Sequence, residues 1–197
     1  MLSDRETHDL PIRVATIADV PALEELIGLS VRALSVGFYS AAQVAAAMDQ
    51  VFGVDTQLIV DGTYYVVQSP TRLAAAGGWS VRRTLYGGDR MKHADDPLLD
   101  PATDAARIRA FFVHPDWARR GLARRLYATC ERAACAAGFH HFELMATLPG
   151  EPLYRALGFT GVERVVSTLA GGVEIPFVRM TRRIDLADQP SLRRPAQ

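Results

Sequence analysis

A stretch of small and basic residues near the middle of the chain has the composition of an anion-binding site. Residues 107–123 read RIRAFFVHPDWARRGLA, in which a β-branched and aromatic run at 108–113 predicts a strand that leads into a turn at Gly121. Gly121 and Ala123 carry little or no side chain, so the backbone can approach a ligand closely there. A helix that begins at this turn presents unpaired N–H groups and the positive end of its macrodipole. The stretch therefore predicts a pyrophosphate site.

The residues that follow predict the helix itself. Apolar or small residues recur at steps of three or four, at Leu122, Leu126, Cys130, Ala133 and Ala137. Arginines occupy the other faces, at Arg119, Arg120, Arg124, Arg125 and Arg132. This pattern is typical of an amphipathic helix, and Gly138 predicts its end. A solvated helix face is the alternative interpretation of these arginines.

Two common phosphate motifs do not fit this turn. A P-loop needs a Lys and a Ser or Thr directly after its second Gly, but the only lysine of the chain, Lys92, lies far upstream. A GxGxxG run after a strand is also missing from the sequence. The pattern that remains is V-x-P-x-x-x-x-x-G-x-A, beginning at Val113.

That pattern resembles the acyl-CoA motif of the GNAT superfamily of N-acyltransferases. Residues 152–159, PLYRALGF, are similar to the C-terminal Y-x-x-x-G-F helix of the same superfamily. The resemblance extends over residues 10–183. It implies a mixed α/β (α+β) fold, with a mostly antiparallel sheet of about seven strands flanked by about four helices. The two central strands, residues 108–113 and 141–146, would be parallel and would splay apart at their ends.

The resemblance also implies where acetyl-CoA, as co-substrate, is held. It assigns the pyrophosphate to main-chain N–H groups of Arg120, Gly121, Leu122 and Ala123, with the basic side chains of Arg119 and Arg124 nearby. It assigns the pantetheine arm to the main chain of Val113, with the N–H of Phe111 or Phe112 facing the thioester carbonyl. A core strand is the alternative interpretation of Phe111, Phe112 and Val113, and both interpretations can hold together.

Tyr154 is the side chain that we expect to do chemistry. A phenol with a pKa of about 10 is protonated at neutral pH, so it can give a proton to a departing thiolate. A packing role beside Leu153, Leu157 and Phe159 is the alternative.

The general base is not identified by the sequence. Some members of the superfamily carry Glu at the position of Arg107, and an arginine cannot take a proton. Glu143, His114 and Glu151 are the available candidates, and none of them receives a role. Arg107 and Arg109 lie two apart on one strand face, where they either bind an anionic acceptor or pair with acidic residues.

Composition limits the possible partners. The formal net charge is zero, which argues against nucleic acid and membrane surfaces as partners. No signal peptide or membrane span is visible, so a cytoplasmic location is expected. Cys130 and Cys135 lie five apart and suit neither a disulfide nor a metal site, so no metal is expected. With 49% hydrophobic residues, one domain over residues 10–184 is expected, after an N-terminal extension, 1–9, and before a mobile tail, 185–197.

The remaining elements are predicted from periodicity and turn residues. Helices are expected from Ile17, after a cap at Thr16 and Asp19, and from Ser40 to Met48. Strands are expected at 12–14, at 57–60 and 63–68 as a hairpin around Asp61-Gly62, at 72–81 and at 140–147. Two further strands, 162–169 and 173–180, are expected around the turn 170–172. Residues 82–106 are expected to form a long loop that, with Tyr39, shapes the acceptor site.

These observations favour an acetyl-CoA-dependent N-acetyltransferase for a primary amine of a small molecule or peptide. The amine would attack directly in a ternary complex. The alternative is a catalytically inactive acyl-CoA sensor or interaction protein of the same fold, and transfer of a longer acyl group also stays open. Related proteins often dimerise through their C-terminal strands, so a homodimer is a further open possibility.

Overall fold

A seven-stranded mixed sheet organises the protein. The computed structural model describes residues 9–91 and 96–184. The strands, in sheet order β1-β2-β3-β4-β5-β7-β6, are β1 (Ile12–Val14), β2 (Tyr64–Gln68), β3 (Leu73–Ser80), β4 (Ala106–Val113), β5 (His141–Thr147), β6 (Thr160–Thr168) and β7 (Glu174–Arg183). The helices are α1 (Val20–Leu34), α2 (Ala41–Gln50), α3 (Thr56–Val60), α4 (Leu122–Ala136) and α5 (Glu151–Ala156). The β4–β5 pair is parallel and the other pairs are antiparallel, which confirms the predicted mixed α/β architecture.

The first two helices begin where the sequence predicts caps. Thr16 and Asp19 form a capping box around a 3-10 turn, Ile17–Asp19, that leads directly into α1. Ser40 and Gln43 form a second capping box at the start of α2. In each case the side chains satisfy N–H groups that the helix itself leaves unpaired.

The predicted strand at residues 57–60 is wrong, because this segment is the short helix α3. The Asp55 carboxylate accepts a hydrogen bond from the N–H of Leu58 and caps the helix, while Gly62, at φ 70°, follows its end in the left-handed region. Leu58 and Ile59 are buried. The residues that suggest a strand therefore bury one face of a short helix. Asp61 and Gly62 end this helix and do not form the turn of a hairpin.

The small residues of β3 let helices pack closely on both faces of the sheet. All eight residues of the strand, LAAAGGWS, are buried. Ala75 contacts the core beneath α4, whereas Ala76 faces α1. At Gly77 an added Cβ would lie 2.9 Å from the Phe111 ring. A side chain at this position would therefore push Phe111 out of its place on β4.

Helix α4 has the predicted extent, but some of the residues predicted to be buried are not. It ends at Ala136, and Gly138 follows it at φ 93°. Leu122, Leu126 and Cys130 are buried as predicted, but Ala137 is exposed and Ala133 is only partly buried. Tyr127, Ala134 and Cys135 take the inward positions near the end, because the buried stripe drifts around a helix of 3.6 residues per turn.

The described part of the 82–106 connection is fastened to the core. Arg82 forms an ion pair with Asp61 at 2.7 Å and pairs with Leu98 in an isolated β-bridge. The N–H groups of Gly88 and Asp89 donate to the carbonyls of Val51 and Val54, each at 3.0 Å. Between β3 and β4, the described residues 82–91 and 96–105 contain one 3-10 turn, Asp89–Met91, and no longer helix or named strand.

The two closing strands and the turn between them are also confirmed. Residues 170–172 form a 3-10 turn in which Gly171 and Gly172 have positive φ. The predicted tail, 185–197, lies outside the described residues, as do the first eight residues of the predicted N-terminal extension. Across residues 9–91 and 96–184, no helix has the length and apolar character needed to cross a membrane.

Candidate active site

The central parallel strands separate soon after they meet. Within the described residues, β4 and β5 pair at Ala106↔Phe142 and Arg107↔Glu143, after which β4 continues along β3 and β5 along β7. The register of β4 against β3 shifts between the pairs Gly78↔Arg109 and Ala76↔Phe112, which places an extra residue in β4. Ala110 takes up this bulge at φ 55°, which is unusual for a residue with a Cβ. The bulge bends the end of β4 and opens a gap beside it.

Backbone geometry decides which amides of β4 face this gap. The N–H of His114 donates to the carbonyl of Ala74 at 2.9 Å, so it points toward β3. The N–H of Val113 donates to Ser30 Oγ at 3.2 Å, on the opposite edge. Successive amides alternate between the two edges of a strand. The N–H of Phe111 therefore lies on the same edge as that of Val113, whereas the N–H of Phe112 points toward β3.

The N-terminus of α4 lies at the end of this gap. Gly121 is the N-cap at φ 81°, and the cap lacks a side-chain hydrogen bond. The first turn contains no acidic residue, and an added Cβ on Gly121 meets no described atom within 4 Å. Arg119 also has positive φ, at 64°. The turn therefore presents helix N–H groups to open space, with basic side chains beside them, which is the geometry of an anion site.

One cavity of about 710 Å³ joins the helix N-terminus to the gap between the strands. Nine of the ten residues that the sequence nominates line it, namely Phe111, Phe112, Val113, Arg119, Gly121, Leu122, Ala123, Arg124 and Tyr154. Arg120 is not among the lining residues. The structure thus brings together, along one cavity, residues that lie up to 43 positions apart in the chain, from Phe111 to Tyr154.

Tyr154, on α5, lines the cavity. Its ring packs edge-on against Phe111 and Phe159, with centroid distances of 6.3 and 5.8 Å. Burial raises the pKa of Tyr154 above its ordinary value, so the hydroxyl is protonated throughout the neutral range. The packing role of Tyr154 is therefore observed, and its place in the cavity lining leaves the chemical role as a prediction.

The three residues considered as bases are engaged elsewhere. Glu143 is buried and forms ion pairs with Arg107 and Arg179. The Nδ1 atom of His114 accepts the N–H of Asp116 at 3.1 Å.

The third candidate, Glu151, pairs with Arg155 at 2.7 Å, one helical turn away. These contacts stabilise local structure. Among the described residues that line the cavity there is no Asp, Glu or His.

Arg107 and Arg109 pair with acidic residues, which resolves the alternative that the sequence leaves open. Arg107 contacts Glu143, and Arg109 contacts Asp55 at 2.8 Å with both side chains buried. Arg109 also donates to the carbonyls of Thr84, at 2.9 Å, and Gly87. Burial lowers the pKa of both arginines, although each stays charged at neutral pH. Arg109 thus attaches the 84–88 segment to β4, beside the cavity.

Three further residues hold segments around the site through hydrogen bonds whose partners the sequence does not indicate. Tyr39 joins separate segments, because its hydroxyl donates to the carbonyl of Pro176 at 2.8 Å and accepts the N–H of Leu148 at 2.9 Å. Ser30, on α1, holds the N–H of Val113. Thr147, at the end of β5, accepts the N–H of Gly150 through Oγ1 at 3.2 Å. The sequence predicts that the connection carrying Tyr39 shapes the site. It does not indicate the hydrogen-bond partners of Tyr39, which lie more than 100 positions away in the chain.

The cysteines and other possible metal ligands do not form a site in the described part of the chain. Cys130 and Cys135 are both free and buried, and burial raises the pKa of the Cys130 thiol. Over residues 9–91 and 96–184, no group of three or more His, Cys, Asp and Glu side chains is placed to hold a metal ion.

Comparisons with known proteins agree with this geometry. Residues 101–183 match the family model described as an acetyltransferase (GNAT) domain. No curated protein sequence matches the chain. A GCN5-related N-acetyltransferase structure from Rhodopseudomonas palustris, described as an aminotransferase, class II, superposes with a TM-score of 0.64 at 16% identity, over 89% of this chain and 96% of that one.

Two other solved structures contain the cofactor. PaiA N-acetyltransferase from Thermoplasma acidophilum, in complex with coenzyme A, has a TM-score of 0.60 at 13% identity, over 89% of this chain and 99% of that one. YncA from Salmonella typhimurium, with its cofactor acetyl-CoA, has a TM-score of 0.58 at 16% identity, over 93% and 99% of the two chains. Identities this low show a shared fold.

Residues 101–183 of the chain carry an acetyltransferase (GNAT) domain, and the solved structures share the fold. The matched residues include β4, α4, β5, α5 and most of the cavity wall that carries the nominated residues.

Proposed function

We propose that the protein is an acetyl-CoA-dependent N-acetyltransferase that acts on a primary amine of a small molecule or peptide by direct attack in a ternary complex. The observation that carries the proposal is the single cavity that runs from the uncapped helix at Gly121, along the free edge of β4, to Tyr154. Acetyl-CoA supplies the acetyl group as a thioester. The residues of this chain bind and orient that substrate and provide a proton.

The N-terminus of α4 would hold the pyrophosphate. N–H groups at Arg120, Gly121, Leu122 and Ala123 give directional hydrogen bonds, and the macrodipole adds a favourable field. Arg119 and Arg124 line the same end of the cavity and add positive charge. The absence of a side-chain cap at Gly121 supports this role, since the helix N–H groups otherwise need a partner.

The edge of β4 would position the thioester. Of the two amides that the sequence leaves open, the alternation along β4 favours Phe111 over Phe112 as the donor to the thioester carbonyl. This hydrogen bond strengthens as negative charge develops on the carbonyl oxygen. Val113 would hold the pantetheine arm through its main chain, with Ser30 competing for its N–H.

Tyr154 would act as the acid. Its raised pKa keeps the phenol protonated, and the proton passes to the sulfur when the carbon–sulfur bond breaks. Replacement by phenylalanine retains the ring packing against Phe111 and removes only the donor.

The test compares Tyr154→Phe with Tyr127→Phe, a buried tyrosine of α4 that does not line the cavity. For Tyr154→Phe we expect turnover, measured as thiol release, to fall about 100-fold or more while the Kd for coenzyme A is nearly unchanged. Tyr127→Phe should retain turnover. Unchanged turnover in Tyr154→Phe contradicts the role of Tyr154, and no calorimetric heat with coenzyme A contradicts the binding site itself.

A catalytically inactive acyl-CoA sensor is the second candidate. The observation in its favour is the cavity lining, in which the described residues include no carboxylate or histidine that could accept a proton. Binding of acetyl-CoA without thiol release across a broad amine panel would support the sensor. Thiol release with any amine favours the enzyme.

A further inference from the structure

Part of the cavity lining, on segments other than α4, is built from apolar side chains. It combines the end of α1, the connection after α1, the segment before α3, the 84–88 segment, β4, β5 and β7. We call it the acceptor wall, and its members are Leu34, Phe38, Phe52, Tyr86, Phe112, Met145 and Phe177. Five of these seven residues are aromatic. The acceptor wall therefore offers ring surfaces to whatever enters the cavity.

The rings are held in fixed orientations. Phe52 and Phe112 meet edge to face, with centroids 6.3 Å apart and an interplanar angle of 88°. Tyr86 and Phe177 lie 5.6 Å apart, and the Tyr86 hydroxyl is hydrogen-bonded to Ser167 Oγ at 3.0 Å. Phe38, with 49% of its surface exposed, lies at the mouth. An aromatic body can pack among such rings with the offset or perpendicular geometry that aromatic pairs prefer.

The charges on the cavity wall disfavour a cationic acceptor. The charged side chains among the described lining residues are Arg109, Arg119 and Arg124, all positive. Arg109 is already neutralised by Asp55 at 2.8 Å. An ammonium group that entered this space would lose hydration and meet no countercharge among the described lining residues, which is unfavourable.

The same lining lacks a strong proton acceptor. A lysine-like amine, with a pKa of about 10.4, is neutral in only about one molecule in 2,500 at pH 7. Only the neutral amine has the lone pair that attacks a carbonyl. A weakly basic amine, with a pKa below 7, enters the cavity with its lone pair already free and needs no base from the protein.

We propose that the acceptor is a weakly basic amine carried on an aromatic body, of the arylamine class. This inference rests on the proposed acetyl transfer and specifies its substrate. The nitrogen lone pair attacks the thioester carbonyl carbon, the carbon–nitrogen bond forms and the carbon–sulfur bond breaks. The sulfur takes the phenolic proton of Tyr154, and the proton lost by the nitrogen restores the phenol. Atoms and charges balance without a further reactant.

The first experiment uses the full chain with acetyl-CoA and three amines, with thiol release as the readout. Aniline is neutral at pH 7, whereas benzylamine has a similar ring on a basic amine and spermidine is a polycation without a ring. We expect kcat/KM at pH 7 to be at least about tenfold higher for aniline than for benzylamine, and spermidine to be inactive. From about pH 6 to about pH 9, kcat/KM should stay level for aniline and rise with pH for benzylamine.

The outcomes separate this inference from the proposed function. Preference for spermidine or benzylamine at pH 7 overturns the arylamine class while leaving acetyl transfer intact. Failure of every amine to release thiol, although coenzyme A binds, overturns both. Both proposals are supported if aniline is preferred over benzylamine and its kcat/KM does not change with pH.

A matched pair of variants tests the wall directly. Phe38→Asp places a carboxylate at the mouth of the acceptor wall, where a half-exposed side chain can be replaced without opening the core. We expect the ratio of kcat/KM for aniline to that for benzylamine to fall at least about fivefold, since the new charge attracts the cation. Val36→Asp adds the same charge at a position 75% exposed that does not line the cavity, and it should leave the ratio unchanged. If Phe38→Asp and Val36→Asp give the same ratio of kcat/KM for aniline to that for benzylamine, the acceptor wall does not contact the acceptor.

Discussion

The two ends of the β4–β5 pair are built in opposite ways. At the closed end, Ala106 and Phe142 are fully buried and Glu143 lies between Arg107 and Arg179. At the open end, Phe111 and Val113 are equally apolar but only partly buried, because β5 no longer covers them. The comparison shows how the gap arises. The strands β4 and β5 pair at the closed end, and the bulge at Ala110 turns β4 away from β5 at the open end. The following predictions test the two ends separately.

Loss of the ion pairs at the closed end should have the largest effect. Glu143→Ala leaves Arg107 half-buried without its partner, so we expect the free energy of unfolding to fall by about 3 kcal/mol. Urea denaturation measures this change. Glu163→Ala is the control, since Glu163 is exposed and lies 3.9 Å from Arg179, and its effect should stay below about 0.5 kcal/mol. Equal effects for the two variants would show that the closed end is not held by Glu143.

Removal of the Tyr39 hydroxyl should weaken the open end to a smaller degree. Tyr39→Phe leaves the N–H of Leu148 and the carbonyl of Pro176 without their partner, at a cost of about 2 kcal/mol. Chemical denaturation at pH 7 measures it. Because the end of β5 moves with Leu148, the variant should also bind coenzyme A more weakly.

The Tyr39 prediction has a pH signature. Burial raises the pKa of Tyr39 to about 12, from an ordinary value of 10. The folded state therefore holds this proton more tightly than the unfolded state, and its contribution to stability is complete below pH 10 and is lost as the pH rises to about 12. The stability difference between the protein and Tyr39→Phe should shrink over that interval. A difference that stays constant with pH would contradict the role of the hydroxyl.

A methyl group at the helix N-cap should reduce cofactor affinity. Gly121→Ala places a Cβ where the proposed pyrophosphate lies, so we expect about tenfold weaker binding of coenzyme A by calorimetry. Gly171→Ala is a matched control, since Gly171 has almost the same φ, 80°, and an equally open surrounding. Both variants should lose similar stability from left-handed backbone strain, and only Gly121→Ala should lose affinity.

Loss of a single arginine at the open end should have the smallest effect. Arg124→Gln should weaken coenzyme A binding about threefold at low salt, and the difference should diminish as salt screens the charge. Arg132→Gln, on an exposed position of the same helix that does not line the cavity, is the control. A loss of affinity that is independent of salt would indicate a packing role for Arg124 instead of an electrostatic one.

Local signals explain which parts of the molecule the sequence predicts. The strand at 108–113, the turn at Gly121 and the helix after it follow from β-branched residues, small residues and helical periodicity within one short stretch. The caps at Thr16 and Ser40 are equally local. Local propensity fails at residues 57–60, where the Asp55 cap and burial of Leu58 favour a helical turn over the strand that the β-branched residues suggest.

Long-range contacts account for what the sequence does not predict. The left-handed conformation of Ala110 has no residue-type signal, because alanine rarely adopts it. The partners of Arg109 and Tyr39 come from segments at least 22 and 109 positions away, so spacing gives no indication of them. The acceptor wall gathers side chains from seven segments, and it emerges only when the chain is folded. Gly77, inside a strand, is a weak signal that the sequence does offer, since it marks a close approach.

The network around Arg109 has a consequence for how the acceptor preference can change. One guanidinium joins β4, the residue that caps α3 and the carbonyls of Thr84 and Gly87. The 84–88 segment, which lines the proposed acceptor wall, and the strand that we propose aligns the thioester are thereby mechanically one unit. A loop transplanted from a relative with another specificity would need to bring its own equivalent of Asp55 and Arg109, or it would disturb the alignment of the reacting carbonyl together with the shape of the entrance.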